Sequence, residues 1–153
     1  MSSTHFPPVL VIVGPTASGK TSLAISLAQT FGGEVISADS RQVYRGMDLG
    51  TGKVTPTEMA GIPHHLLDVS DPTRVYTAAD FKRDATAALK DIHRRGHLPI
   101  VAGGTFFYID TLLGRISTPA VPPNEALRAA LETVTTDDLF ARLTTADPRR
   151  AAA

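Results

Sequence analysis

Three observations predict an α/β fold built on a parallel sheet. Val9-Leu10-Val11-Ile12-Val13 is apolar throughout and mostly β-branched, the pattern of a strand covered on both faces. Val35-Ile36-Ser37-Ala38 and Pro99-Ile100-Val101-Ala102 are two further short runs of the same kind. Between and after them lie stretches with helical spacing. Strand and helix in alternation give a parallel sheet with helices on both faces.

Taken in order, the first strand breaks at Gly14 to Gly19, and a helix follows with Ala24, Leu27, Ala28 and Phe31 on its inner face and Gly32 after its end. Residues 46–63 hold many Gly, Thr and Pro and read as loop, and Leu66 to Val69 reads as a short strand. Thr77 and Asp80 have capping-box spacing ahead of a helix whose face is Phe81, Ala85, Ala88, Leu89 and Ile92, ended by Gly96. The strand 99–102 closes on Gly103-Gly104, and Phe106 to Leu113 reads as helix. Pro119 to Pro123 reads as a linker. Beyond it Leu127, Ala130, Leu131 and Val134 mark one amphipathic helix, and Leu139, Phe140 and Leu143 mark another. Asp147-Pro148-Arg149-Arg150 begins a further element that three alanines cut off, so the expectation is an unfinished chain.

The length of 153 residues suits one domain, and 42% apolar with 20% charged residues is a globular composition. Fifteen Lys and Arg balance fifteen Asp and Glu, so a nucleic-acid site has to be a local patch. The absence of cysteine excludes disulfides, cysteine nucleophiles and thiolate zinc sites, and it fits a reducing compartment. The longest apolar run, Val9–Val13, is too short to cross a bilayer, and Met1 to Pro8 lacks the pattern of a secretory signal. The expectation is a cytoplasmic protein without a membrane partner.

Gly14-Pro15-Thr16-Ala17-Ser18-Gly19-Lys20-Thr21 matches the phosphate-loop pattern G-x-x-x-x-G-K-[ST] in full, between a strand and a helix as that motif requires. Glycines let the loop curl so that backbone N–H groups converge on phosphate oxygens, and the helix N-terminus adds the positive end of its dipole. Lys20 supplies a mobile cation for the distal phosphate, and the Thr21 hydroxyl suits Mg²⁺. The ligand expected here is a diphosphate or polyphosphate.

Asp39 follows the end of the second strand, where ligands of open parallel sheets bind. It reads either as a general base or metal ligand beside the phosphates, or as a turn aspartate. Gln42 and Tyr44 carry groups suited to a base or ribose, and Gly103-Gly104-Thr105 stands at a third strand end. His64 and His65 are adjacent and lack a third ligand at zinc spacing, so a structural or hydrogen-bonding role is expected of them. Lys82, Arg83, Lys90, Arg94 and Arg95 alternate with Asp80, Asp84 and Asp91 as ordinary charge pairing on a helix surface.

Together these blocks resemble the tRNA dimethylallyltransferase (isopentenyl-tRNA transferase) family. The resemblance runs from the phosphate loop through Asp39-Ser40-Arg41-Gln42-Val43-Tyr44, Gly50-Thr51-Gly52-Lys53 and Pro63-His64-His65-Leu66-Leu67-Asp68 to Gly103-Gly104-Thr105 and Tyr108. Two departures stand out. Phe106-Phe107 replaces the common Gly-Leu, and Val54 follows Lys53 where a proline is usual. The resemblance implies a P-loop NTPase-like core over 1–118 and, over 119–153, the truncated start of a helical insertion that contacts tRNA. It implies transfer of a dimethylallyl group from dimethylallyl diphosphate to N6 of the adenosine 3′ of the tRNA anticodon, with Mg²⁺. Family chains continue past residue 153, so a chain this short is expected to be impaired, and a monomer is expected at full length.

On that reading Asp39 takes the proton from N6, while Lys20, Thr21 and the loop N–H groups stabilise the departing diphosphate. Asp39, Ser40, Arg41, Gln42 and Thr105 are candidates for contact with the tRNA. Arg128 is a candidate for a tRNA phosphate or else a solvated helix arginine. The phosphate loop alone also suits a small-metabolite kinase using ATP, or an inactive nucleotide-binding fragment.

Overall fold

The computed structural model describes residues 8–116, 121–122 and 124–152. The chain divides into two compact units, Met1–Thr118 and Pro119–Ala153.

The first unit carries a four-stranded sheet formed by β1 (Leu10–Val13), β2 (Gly33–Ser37), β3 (His64–His65) and β4 (Leu98–Gly103). All pairs are parallel and the spatial order is β1-β4-β2-β3. Parallel neighbours need crossovers. Helix α1 (Lys20–Phe31) joins β1 to β2, and α3 (Ala78–Arg94) joins β3 to β4. Alternate residues of the central strands serve opposite faces. Val35, Ile100 and Ala102 pack with Ala24 and Ala28 of α1. Ile36 and Val101 pack with Phe81, Ala85, Leu89 and Ile92 of α3 and with Tyr108, Ile109 and Leu112 of α4 (Phe106–Leu112). The sheet therefore has helices on both faces, as the alternation of elements predicts.

Helix α3 begins at the predicted capping box. The Thr77 hydroxyl accepts from the Asp80 N–H, and the Asp80 carboxylate accepts from the Thr77 N–H at 3.0 Å. Arg83 pairs locally with Asp80 and Asp84, and Arg94 with Asp91, as expected of a helix surface, whereas Arg95, besides Asp91, also reaches the buried Glu34 of β2, which surface pairing does not predict.

β1 packs on both faces, Val11 against the α3-side core and Leu10 and Ile12 against the α1-side core, but it lies at the edge of the described sheet, flanked by β4 alone, and Val13 is 48% exposed. Three expectations need correction. Phe31 is exposed, because it is the last residue of α1 before the chain reverses at Gly32, while Ile25 joins Ala24 and Ala28 inside. The strand expected at Leu66–Val69 is instead His64–His65, since Leu66 (φ 64°) and Asp68 (φ 57°) adopt left-handed backbone that ends the extended run. The region 46–63 is not all loop. It contains one 3-10 turn, Leu49–Thr51, and α2 (Pro56–Met59), which the Thr55/Glu58 capping box starts.

The second unit is helical: α5 (Glu125–Glu132), α6 (Thr136–Ala146) and α7 (Pro148–Ala151). Asn124, Thr135 and Asp147 cap them with side-chain oxygens. Leu131, Val134 and Leu139 are half-buried, whereas Leu127, Phe140 and Leu143 are exposed. Most of the linker expected at Pro119–Pro123 falls outside the described residues.

Candidate functional site

The carboxyl ends of β2 and β4 and the loop after β1 enclose a cleft of about 340 Å³. One wall is the phosphate loop from Thr16 to Thr21; Gly14 and Pro15 complete the loop without lining the cleft. Ala17 (φ 61°) and Gly19 (φ 82°) take left-handed backbone, which bends the loop around the space it encloses. Gly19 caps α1 without a side-chain hydrogen bond, and the first turn carries no acid. The leading N–H groups of a twelve-residue helix therefore have no side-chain acceptor at the cap, as an anion site requires. The Lys20 ammonium folds back over the loop and donates to the Pro15 carbonyl at 2.5 Å and the Ser18 hydroxyl at 3.5 Å. Thr21 lines the cleft from the first turn.

Asp39 lines the same cleft, half-buried. Its Oδ1 accepts from the N–H groups of Arg41 at 2.8 Å and Gln42 at 3.4 Å. It is thus a turn aspartate and a cleft carboxylate at once, since the turn engages only one of its oxygens. The ends of β2 and β4 are stitched together beside it. Ala38 N–H donates to the Ala102 carbonyl, Thr105 N–H to the Ala38 carbonyl, and Ser40 N–H to the Thr105 hydroxyl at 3.0 Å.

Among the other sequence candidates, Gln42 lines the cleft, whereas Ser40, Arg41 and Thr105 are not in its wall. The Gln42 amide is already engaged, accepting from the Ser37 hydroxyl and donating to the carbonyls of Thr51 and Gly52. Tyr44 also turns inward, its hydroxyl accepting from the Tyr76 N–H. Arg128 is exposed on α5, in the second unit.

Sequence reading gave no site role to several wall residues: Val35, Ser37 and Ala102 of the strands, and Thr51, Gly52, Val54 and His64. Thr51, Gly52 and Val54 arrive through a braced loop. The Lys53 ammonium, 5% exposed, donates to Asp48 at 2.7 Å, Asp68 at 2.6 Å and the Tyr44 carbonyl at 2.9 Å. Burial pushes its pKa down, but the two carboxylates more than reverse this and hold it above the ordinary lysine value. His64 Nδ1 lies 2.8 Å from the Ile62 carbonyl, so that nitrogen carries the proton. Nε2 is then a bare, buried acceptor with no partner among the described residues. Burial lowers the His64 pKa and keeps the ring neutral at pH 7.

His65 serves the other face. Its Nε2 lies 2.7 Å from the carboxylate of Glu34, which is 1% exposed and also bonds Arg95 and His97. Among the described residues, no three of His, Asp and Glu gather as metal ligands. A cation here would rely on the Thr21 hydroxyl, the ligand's own oxygens and water, the usual manner for Mg²⁺. No helix is long and apolar enough to cross a membrane, among the described residues.

The model of a family described as IPP transferase matches residues 42–153. The chain is 58% identical over 125 residues to a tRNA dimethylallyltransferase of Thermomicrobium roseum, covering 82% of this chain and 38% of that protein. It is 49% identical to the tRNA dimethylallyltransferase of Methylococcus capsulatus, over 99% of this chain and 50% of that one. Among solved structures, a eukaryotic dimethylallyltransferase acting on tRNA superposes with a TM-score of 0.82 at 38% identity, over 94% of this chain and 36% of that one. The full-length tRNA isopentenylpyrophosphate transferase of Bacillus halodurans gives 0.71 at 42%, over 94% and 49%. The chain thus spans about half the length or less of the relatives it matches.

Proposed function

We propose, from the premise that this chain belongs to the IPP transferase family, that it forms the diphosphate-binding and proton-accepting half of a tRNA dimethylallyltransferase. The observation that carries the reading is that the phosphate loop and Asp39 line one and the same cleft. An anion enters the curl of Thr16 to Thr21, and Lys20 exchanges its carbonyl partner for the distal phosphate. Mg²⁺ at the Thr21 hydroxyl would add charge neutralisation there.

In the reaction, N6 of an adenosine in the tRNA anticodon loop bonds C1 of the dimethylallyl group, and the bond from C1 to the bridging oxygen breaks. Diphosphate leaves with the electron pair, held by the loop N–H groups and Lys20. Asp39 receives one N6 proton. The amine is a weak nucleophile because its lone pair is delocalised into the ring, and positioned proton removal contributes about 10²–10⁴-fold. The Asp39 to Gln42 turn, tied to Thr105 through the Ser40 N–H, would meet the turned-out base, and the Arg41 guanidinium would be available to a tRNA phosphate; Arg128, on the separate second unit, is a further phosphate candidate.

The deciding assay offers the protein labelled dimethylallyl diphosphate with tRNA, and in parallel γ-labelled ATP with small acceptors. Label in tRNA supports the reading. Label moved from ATP to a small acceptor replaces it with a kinase. The same protein is read as a cytoplasmic monomer at full length, which gel filtration with light scattering checks.

A further inference from the structure

Leu49 is fully exposed, at 101%, on one of the most heavily braced loops of the molecule. The bracing is cross-linked. Lys53 ties Asp48, the residue before Leu49, to Asp68 and to the Tyr44 carbonyl. The Gln42 amide holds the carbonyls of Thr51 and Gly52, the Thr51 hydroxyl donates to the Met47 carbonyl, and Gly52 N–H donates to the Leu49 carbonyl. A loop secured at so many points loses little further freedom on binding. Its apex nevertheless spends a large apolar side chain on solvent, with Met47, two residues before it, 42% exposed. Two residues on, Thr51 is already in the wall of the cleft.

The surroundings select the occupant. One leucine covers far less than the roughly 800 Å² per partner of a stable protein interface. The acids of the loop, Asp48 and Asp68, are occupied by Lys53, while Arg41 and Arg45, in the segment to which the loop is tied, are exposed cations. An apolar point on a loop tied to an arginine-bearing segment, in which Arg45 is itself steadied by the Asp68 carbonyl, suits a nucleic acid, whose phosphates meet the arginines and whose base steps admit leucine or methionine wedges.

We propose that Leu49 is a wedge that enters the base stack of an RNA loop and fills the gap left when one base turns out into the cleft. This rests on the prenyl-transfer reading above, and it assigns to Leu49 the unstacking step that such chemistry on a base requires. The braced loop keeps the wedge at a set distance from Asp39, because Gln42, in the Asp39 turn, holds it directly.

The test uses the chain as it stands with an anticodon stem-loop RNA carrying 2-aminopurine at the target position, whose fluorescence rises on unstacking. The wild type gives a several-fold rise. Leu49→Ala keeps its pyrophosphate affinity and binds the RNA within about threefold, but loses most of the rise. Leu49→Met restores it. An equal rise in Leu49→Ala, or failure of Leu49→Met, overturns the wedge. RNA binding without a rise in the wild type also overturns it and leaves the prenyl-transfer reading standing, and so does an absence of RNA binding by this chain, which spans half or less of its relatives' length. Light scattering that finds a dimer dissolved by Leu49→Ala would assign the residue to a contact between copies instead.

Discussion

Gly103 meets Ala38 so closely that a Cβ on residue 103 would lie 2.1 Å from the Ala38 carbonyl oxygen. The atoms met are all backbone of Ala38, the residue after β2, whose N–H is bonded to the Ala102 carbonyl, so they yield only by parting the ends of β2 and β4 at the cleft. Gly103→Ala is expected to cost about 3 kcal/mol or more, read from urea unfolding. Gly104→Ala, whose Cβ would meet the Gly14 carbonyl at an ordinary 3.4 Å, is the control and should cost under about 1 kcal/mol.

Lys20→Ala removes the cation that already hovers over the phosphate loop. Calorimetry with pyrophosphate and Mg²⁺ should show affinity falling about tenfold or more, as for loss of a charge-assisted contact. Equal affinity would remove the phosphate-loop reading. Thr21→Ala should leave pyrophosphate binding in place and flatten its dependence on Mg²⁺, and an unchanged titration would end the metal role.

Asp39→Asn keeps the Oδ1 acceptor that Arg41 and Gln42 use, so the turn survives. The amide cannot take a proton at neutral pH. In prenyl-transfer assays of a full-length version of the protein, kcat should fall about 10²–10⁴-fold with pyrophosphate affinity unchanged. A variant with wild-type kcat would leave Asp39 as a turn residue only.

Glu34 should make the fold acid-sensitive. Hydrogen bonds from Arg95, then His97 and His65, outweigh its burial and hold its pKa at about 2, against an ordinary 4.5. A carboxylate with a depressed pKa stabilises the fold fully above about pH 4.5 and loses that contribution as pH falls through 2. Glu34→Gln should cost about 3 kcal/mol at neutral pH, and the gap to wild type should close as pH falls from 5 to 2. A gap that stays constant with pH would show that the cluster acts through packing rather than charge.

Much of this molecule is legible where the cause is local. The phosphate loop is a contiguous pattern, Thr77 and Asp80 announce α3 three residues apart, and the apolar runs of β2 and β4 give strands covered on both faces. The failures share a non-local cause. An apolar run carries no record of strand order, so nothing in Val9–Val13 shows that β1 lies at the edge of the described sheet. His64 enters the cleft wall through its pairing with Val35, a register the sequence does not display. Thr51, Gly52 and Val54 reach the wall because Lys53 finds carboxylates on both sides of it in sequence, at Asp48 and Asp68. Gln42 offers an amide suited to a nucleobase, yet spends it on its own backbone.

The pairing of β1 with β4 sets a delay in the life of each molecule. The phosphate loop lies within the first twenty-one residues, but the strand that aims it pairs with residues 100–103, about ninety positions later. At ribosomal rates of about 5–20 residues per second, Leu10 to Val13 waits on the order of ten seconds for its partner. Through that interval an apolar strand is exposed beside a loop with nothing to hold its shape. The earliest-made part of the binding site is thus among the last to become competent, and it does so in the same event that completes the sheet.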